Sequence, residues 1–119
     1  MIVQDSFVAL GCLPFDQCVD FYRALLQRPP TRHWPQKYAE FQLAGLRLAL
    51  FVPSYGHETE FAGASSGPMS VCLEVADLEA AIAHLMHIGH APGPVITASH
   101  GREVYAYDPA GNRLIIHQG

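Results

Sequence analysis

The sequence predicts an α+β chain built from two βαβββ modules. Two observations carry that expectation: an internal repeat, and the order of periodic segments within each copy. Phe41-Gln-Leu-Ala-Gly-Leu-Arg-Leu-Ala-Leu-Phe51 returns as Tyr107-Asp-Pro-Ala-Gly-Asn-Arg-Leu-Ile-Ile-His117. Ala44, Gly45, Arg47 and Leu48 match Ala110, Gly111, Arg113 and Leu114 at a constant offset of 66. Upstream, Leu13-Pro-Phe15 aligns with Ala76-Asp-Leu78 at an offset of 63, each ahead of a helical stretch. A duplicated module lets equivalent positions in the two copies be checked against each other.

The elements follow in order. Residues 6–11 alternate around Val8 and Leu10 and are predicted as a short strand ended by Gly11. Pro14 and Asp16 open a helix to Leu26, with Val19, Tyr22, Leu25 and Leu26 on one face and Pro29-Pro30 as its stop. A short strand is expected near 31–34, then strands over 38–43 and 46–52 around the hairpin signal Ala44-Gly45. Residues 53–68 hold five Gly or Pro and three Ser, a linking loop of unusual length for a compact domain. The second copy gives a strand over 69–75 and a helix over 77–88. Asp77 is its N-cap, Ala81, Ile82, Leu85 and Ile88 its buried stripe, and Gly89 its stop. Strands over 95–99, 102–107 and 112–118 complete it. The last two are joined by Asp108-Pro-Ala-Gly111, where Pro presets φ and Gly accepts a positive φ. One domain over 1–119 is expected, with modules at about 1–52 and 69–119.

Composition narrows the function. Half the residues are hydrophobic and 15% are charged, as in globular chains. A net charge of -4 with only seven Lys and Arg argues against nucleic acid as a partner, because phosphate binding needs clustered cations. Cys12, Cys18 and Cys72 are odd in number and lack CxxC spacing. Free, buried thiols in a reducing compartment are expected rather than disulfides or structural zinc. Met1-Ile-Val-Gln-Asp5 has no charged region followed by an apolar run, and no apolar stretch reaches 18 residues. A cytoplasmic protein without membrane contact is the expectation.

Phe21-Tyr-Arg-Ala-Leu-Leu26 and Tyr107-Asp-Pro-Ala-Gly-Asn-Arg-Leu114, together with the repeat, resemble the signature segments of the vicinal oxygen chelate superfamily. That group includes glyoxalase I, extradiol dioxygenases, fosfomycin resistance enzymes and bleomycin resistance proteins. The resemblance covers the whole chain. It implies an open, cup-shaped mixed sheet (the glyoxalase/bleomycin resistance fold), completed in a homodimer by exchange of modules. It also implies, for metal-dependent members, a divalent ion held from the first and last strands of each module. Counting from Tyr22 and Asp77, and from Gly45 and Gly111, places those positions at Phe7, Ser70, Ala49 and Ile115. None can ligate as the family does: three have no donor atom, and a neutral hydroxyl is a poor transition-metal ligand. No metal and no cofactor are therefore expected.

Strand alternation supports that register. Val8, Leu10, Leu48, Leu50, Val71, Leu73, Val75, Leu114 and Ile116 would face the helices. Phe7, Ala9, Arg47, Ala49, Phe51, Ser70, Cys72, Glu74, Arg113, Ile115 and His117 would face the cup. With Trp34 and Tyr105 added as aromatic stacking surfaces near Tyr38 and Tyr107, the expected ligand-binding set is Phe7, Trp34, Arg47, Phe51, Ser70, Cys72, Glu74, Tyr105, Arg113, Ile115 and His117. Structural roles compete with this. Trp34 can pack in a core or dimer interface, and Arg47 and Arg113 can pair with Glu40, Glu74 or Glu103. Glu74 with His117 is the candidate acid/base pair or relocated site. Cys72 lacks a His near it in sequence. His84, His87 and His90 lie along the exposed side of the second helix, and His57 and His100 sit in loops without a visible partner. The loop 53–68, with His57, Glu58, Glu60 and Phe61, is either a solvated linker or an acidic lid that favours a cationic guest such as a bleomycin-type glycopeptide.

Three functions follow. The first is a metal-independent, homodimeric protein, similar to bleomycin resistance members, that sequesters an apolar or amphipathic small molecule. The second is a lyase or isomerase related to glyoxalase I, working through Glu74 and His117. The third is a degenerate module with a regulatory or interaction role. The missing metal positions turn the expectation toward binding and away from catalysis.

Overall fold

The computed structural model describes residues 1–62 and 67–119. Residues 63–66 of the expected lid lie outside the described residues. The chain divides into two compact units, Met1–Ala62 and Gly63–Gly119, and each repeats the predicted order of elements.

The first unit runs β1 (Val8–Gly11), α1 (Phe15–Leu26), β2 (Arg32–Trp34), β3 (Tyr38–Leu43) and β4 (Leu46–Phe51). Its sheet order is β1-β4-β3-β2, with β1 parallel to β4 and the other pairs antiparallel. Strand alternation puts Ala39, Phe41, Leu48 and Leu50 on one face, where they are fully buried with Phe15, Cys18, Val19, Phe21 and Tyr22 of α1. The Tyr22 and Phe41 rings meet at 6.1 Å. Two details differ from the expectation. β1 begins at Val8, where pairing with Leu48 starts, so Phe7 lies outside the ladder. Burial on α1 weighs toward Phe15, Cys18 and Phe21, leaving Leu25 and Leu26 only half-buried. The helix ends at Leu26 because Gln27 takes a left-handed conformation, φ 54°, ahead of the two prolines. Beyond β4 the chain forms a single 3-10 turn, Glu58–Glu60. Phe61 then sets its ring edge-on to Phe51 at 5.0 Å.

The second unit runs β5 (Val71–Glu74), α2 (Leu78–His87), β6 (Ile96–Ala98), β7 (Gly101–Tyr107) and β8 (Arg113–Gln118). Its order β5-β8-β7-β6 is that of the first sheet, again with the first and last strands parallel. Val71, Val104, Ala106, Leu114 and Ile116 are buried with Leu78 and Leu85 of α2. Leu78 was not expected in the stripe, while Ala81, Ile82 and Ile88 are only half-buried. Asp77 caps α2 by accepting the Ala80 amide at 3.0 Å, and Glu79 ties the helix to β7 through two bonds from Arg102 at 2.6 and 3.1 Å. The Asp108 turn is built by its own carboxylate. Oδ1 accepts the Ala110 and Asn112 amides at 2.9 Å each, Oδ2 accepts Asn112 Nδ2 at 2.8 Å, and Gly111 takes φ 90°. A signature segment is thus explained as a buried hydrogen-bonded turn. No helix among the described residues is long and apolar enough to cross a membrane.

Candidate functional site

The face of the first sheet that turns away from α1 is set by the strand register. Tyr38 lies opposite Phe51 and Trp34, Glu40 opposite Ala49 and Arg32, and Gln42 opposite Arg47. Trp34 is 52% exposed, with its ring 5.6 Å from that of Tyr38. Glu40 is the polar focus. Its Oε2 accepts the Tyr38 hydroxyl at 2.6 Å, and its Oε1 stands 3.8 Å from Arg47 Nε and 3.9 Å from Arg32 Nε. Partial burial, and then the Glu40 bond and charge, push the Tyr38 hydroxyl above its ordinary pKa. Arg47 also binds Asp5 Oδ2 at 2.5 Å, which holds the Asp5 carboxyl below its usual range. The same guanidinium lies 4.4 Å over the Phe7 ring, a cation–π contact. The structural alternative for Arg47, a salt bridge to Glu40, is therefore present, and Asp5 adds a partner that strand parity does not reveal.

On the second sheet the face away from α2 has three cross-strand rows: Glu74, His117 and Glu103; Cys72, Ile115 and Tyr105; and Arg113 with Tyr107. Arg113 Nε donates to Ser70 Oγ at 2.7 Å, and its terminal nitrogen donates to the Gly67 carbonyl at 2.6 Å. Neither matches the expected glutamate partners. Glu74 and His117 do meet, Oε1 to Nδ1 at 2.5 Å, and the Gly119 amide holds Glu74 Oε2 at 2.7 Å. The bond to His117, followed by that amide, lowers the Glu74 pKa. The same bond is the main cause raising His117, with smaller help from the charges of Glu74 and Glu103 and from the His100 carbonyl. His117 is largely covered, its side chain 13% exposed.

Two histidines expected to lack partners have them. His57 Nδ1 lies 3.3 Å from Glu60 Oε2. His100 Nε2 lies 3.1 Å from Glu103 Oε1, and its ring stacks on His117 at 5.2 Å. His100 reaches there because Ser99 and His100 form the short turn between β6 and β7, a geometry that sequence spacing leaves open. Of the three histidines placed on the exposed side of α2 and beyond, His87 is exposed, whereas His84 and His90 are half-buried. Cys72 is exposed, unlike Cys12 and Cys18, because parity puts it on the helix-free face.

The four positions where the resemblance implies a metal do not fit one. Phe7 sits beneath Arg47, Ala49 is fully buried, the Ser70 hydroxyl accepts from Arg113, and Ile115 has no donor atom. Phe7 and Ser70, equivalent by the repeat, are each engaged by the arginine of their own module. An open groove of about 400 Å³ lies at the start of α1, between Leu13, Phe15, Gln36 and Val52, and includes none of the expected ligand-binding residues.

Two mixed four-stranded sheets, each with strand-helix-three-strand order, make this the glyoxalase/bleomycin resistance fold of the vicinal oxygen chelate superfamily. Solved structures agree over nearly the full chain. A glyoxalase/bleomycin resistance protein from Catenulispora acidiphila is 26% identical, with 96% of this chain and 95% of that one covered and a TM-score of 0.70. A lactoylglutathione lyase from Agrobacterium tumefaciens is 20% identical, with 98% and 95% covered and a TM-score of 0.75. A bleomycin-binding protein solved in complex with bleomycin is 18% identical, with 98% and 99% covered and a TM-score of 0.71. No family model matches the chain, and no curated protein sequence matches it either.

Proposed function

We propose that residues 1–119 form one cytoplasmic, homodimeric small-molecule binding domain of the glyoxalase/bleomycin resistance type. It sequesters an apolar or amphipathic guest on the helix-free faces of its sheets, with no metal required for that binding. Phe7, Trp34, Arg47, Phe51, Ser70, Cys72, Glu74, Tyr105, Arg113, Ile115 and His117 are the proposed guest contacts. The observation that carries this reading is the state of the family's metal positions: Phe7, Ala49 and Ile115 lack any donor atom, and Phe7 and the Ser70 hydroxyl are engaged by Arg47 and Arg113. The exposed Trp34 ring beside the half-buried Tyr38 supports stacking on a planar guest.

Trp34 is the single tryptophan and so reports on its own site. Bleomycin and the amphipathic dye anilinonaphthalene sulfonate are the probes. At a hundredfold excess over Kd, a guest that binds only the folded chain adds about 2.7 kcal/mol of stability. The expected result is a saturable change in Trp34 emission and a raised Tm with at least one probe, both unchanged by EDTA. Silence with both probes, or loss of the response on chelation, overturns the reading.

The 2.5 Å bond between Glu74 and His117 favours a second reading, a lyase or isomerase in which this pair moves a proton. Its mark would be lactoylglutathione lyase turnover that Glu74→Gln abolishes while probe affinity stays the same. Absence of turnover in the unmodified protein removes it.

A further inference from the structure

The Glu74–His117–Glu103 row continues into His100, and the four side chains together have a property that the guest-binding reading does not use. Glu74, anchored by the Gly119 amide, faces His117 Nδ1. A carboxylate there fixes the neutral tautomer with the proton on Nδ1, which leaves the lone pair on Nε2. Nε2 is shielded from water and makes no hydrogen bond; the His100 carbonyl is near the ring but not in hydrogen-bonding geometry. A buried acceptor without a donor is unfavourable, so this nitrogen calls for an electrophile. The backbone makes room for one. A Cβ on Gly101 would stand 2.9 Å from His117 Nε2 and would collide with the Gln118 carbonyl, so only glycine leaves that approach open.

The neighbours of Nε2 have matching chemistry. One ligand atom each from His100, Glu103 and His117 lie within 4.8 Å of one another. Metal bonds of about 2.0–2.2 Å put ligand atoms roughly 3–3.5 Å apart. His100 Nε2 and Glu103 Oε1, 3.1 Å apart, already have that spacing, and closing the set asks for a movement of at most about 1.5 Å. Glu103 and His117 are nearly covered and fixed, whereas the His100 side chain is 63% exposed in a two-residue turn and can swing off its stack. Two imidazoles and one carboxylate, with a second carboxylate orienting an imidazole, form the ligand set of a divalent transition ion with open positions.

We propose that His100, Glu103 and His117 form a site for one divalent transition-metal ion of the zinc class in the second module, with Glu74 orienting His117. None of these is among the four positions that the family resemblance points to, so the expectation that the chain holds no metal is revised at other residues. Guest binding and ion binding are separate claims: a Trp34 response independent of EDTA neither requires nor forbids this site.

The test uses the full chain, stripped with EDTA and dialysed, then titrated with Co2+ by visible absorption and with Zn2+ by calorimetry. One ion per chain with micromolar or tighter Kd is expected. His100→Ala, which alters only an exposed turn residue, should weaken binding at least tenfold. Glu74→Gln should weaken it by about 10- to 100-fold, the usual effect of losing a ligand-orienting carboxylate. His87→Ala, an exposed histidine on α2, should leave it unchanged. Absence of saturable one-to-one binding, equal affinity in His100→Ala, or loss of binding in His87→Ala overturns the proposal. His117→Ala removes a nearly buried ring and can unfold the module, so it is read only alongside a thermal melt.

Discussion

Cys72 illustrates how far one strand position can be read. Composition alone groups it with Cys12 and Cys18 as a buried thiol, but alternation from Val71 already turns it to the opposite face, where the structure exposes it. The residual burial of its sulfur, and then the charges of Glu74 and Glu103, push its pKa up. Because the thiolate is the nucleophile, Cys72 is the accessible sulfur yet a sluggish one. On the folded chain, a disulfide reagent near pH 8 should modify one thiol of three, slowly, and the other two only in denaturant. Glu74→Gln should speed that single reaction by lowering the charge around it. Mass spectrometry of the time course checks the count, and two rapidly modified thiols on the folded chain would contradict the burial. His100 shows the opposite limit. Its partners, Glu103 and His117, come from the register of β7 on β8 and from the turn after β6, and neither is written in local spacing. Asp5 is similar: its bond to Arg47 spans 42 residues.

At the level of elements, order and type were legible and ends were not. The strands appear where alternation puts them, but most begin or stop one or two residues inside the expected range, because the ladder needs a paired neighbour and not only a suitable side chain. The helices differ in how they start. α1 begins after Pro14 with no side-chain cap, whereas α2 begins on Asp77, whose Oδ1 takes the Ala80 amide. Amides in the first turn of a helix have no intrahelical acceptor, so Asp77→Ala should cost about 1 kcal/mol, and Asp77→Asn much less. Urea unfolding with an unchanged m-value is the measurement. If alanine and asparagine are equally stable at this site, the cap contributes nothing in solution.

For the whole chain, the repeat predicts backbone and core better than it predicts chemistry. Leu48 and Leu114 stand at the 66-residue offset, and both are within 1% of complete burial. Each lies between the first strand of its module and the neighbouring hairpin strand: Leu48 is in register with Val8 and Phe41, Leu114 with Val71 and Ala106. Arg47 and Arg113 share the same offset and tether the segment before their module's first strand, yet one holds Asp5 while the other holds the Ser70 hydroxyl and the Gly67 carbonyl. Packing against a helix constrains the inward positions by volume and polarity, whereas the opposite faces pack on no helix of their own unit, and the arginine partners there do not carry over from one copy to the other. This asymmetry has a measurable consequence. Leu48→Ala and Leu114→Ala each remove a fully packed side chain and should each cost about 2–5 kcal/mol, both within that range because the two side chains hold the same ladder position in their modules, although Phe41 faces one and Ala106 the other. Arg47→Lys and Arg113→Lys should differ from each other, since an ammonium can still pair with Asp5 but cannot reproduce the fork that reaches both Ser70 and Gly67. Chemical denaturation of the four variants separates the two expectations. Unequal leucine losses, with one below about 1 kcal/mol, would show that the sequence repeat does not extend to equivalent packing.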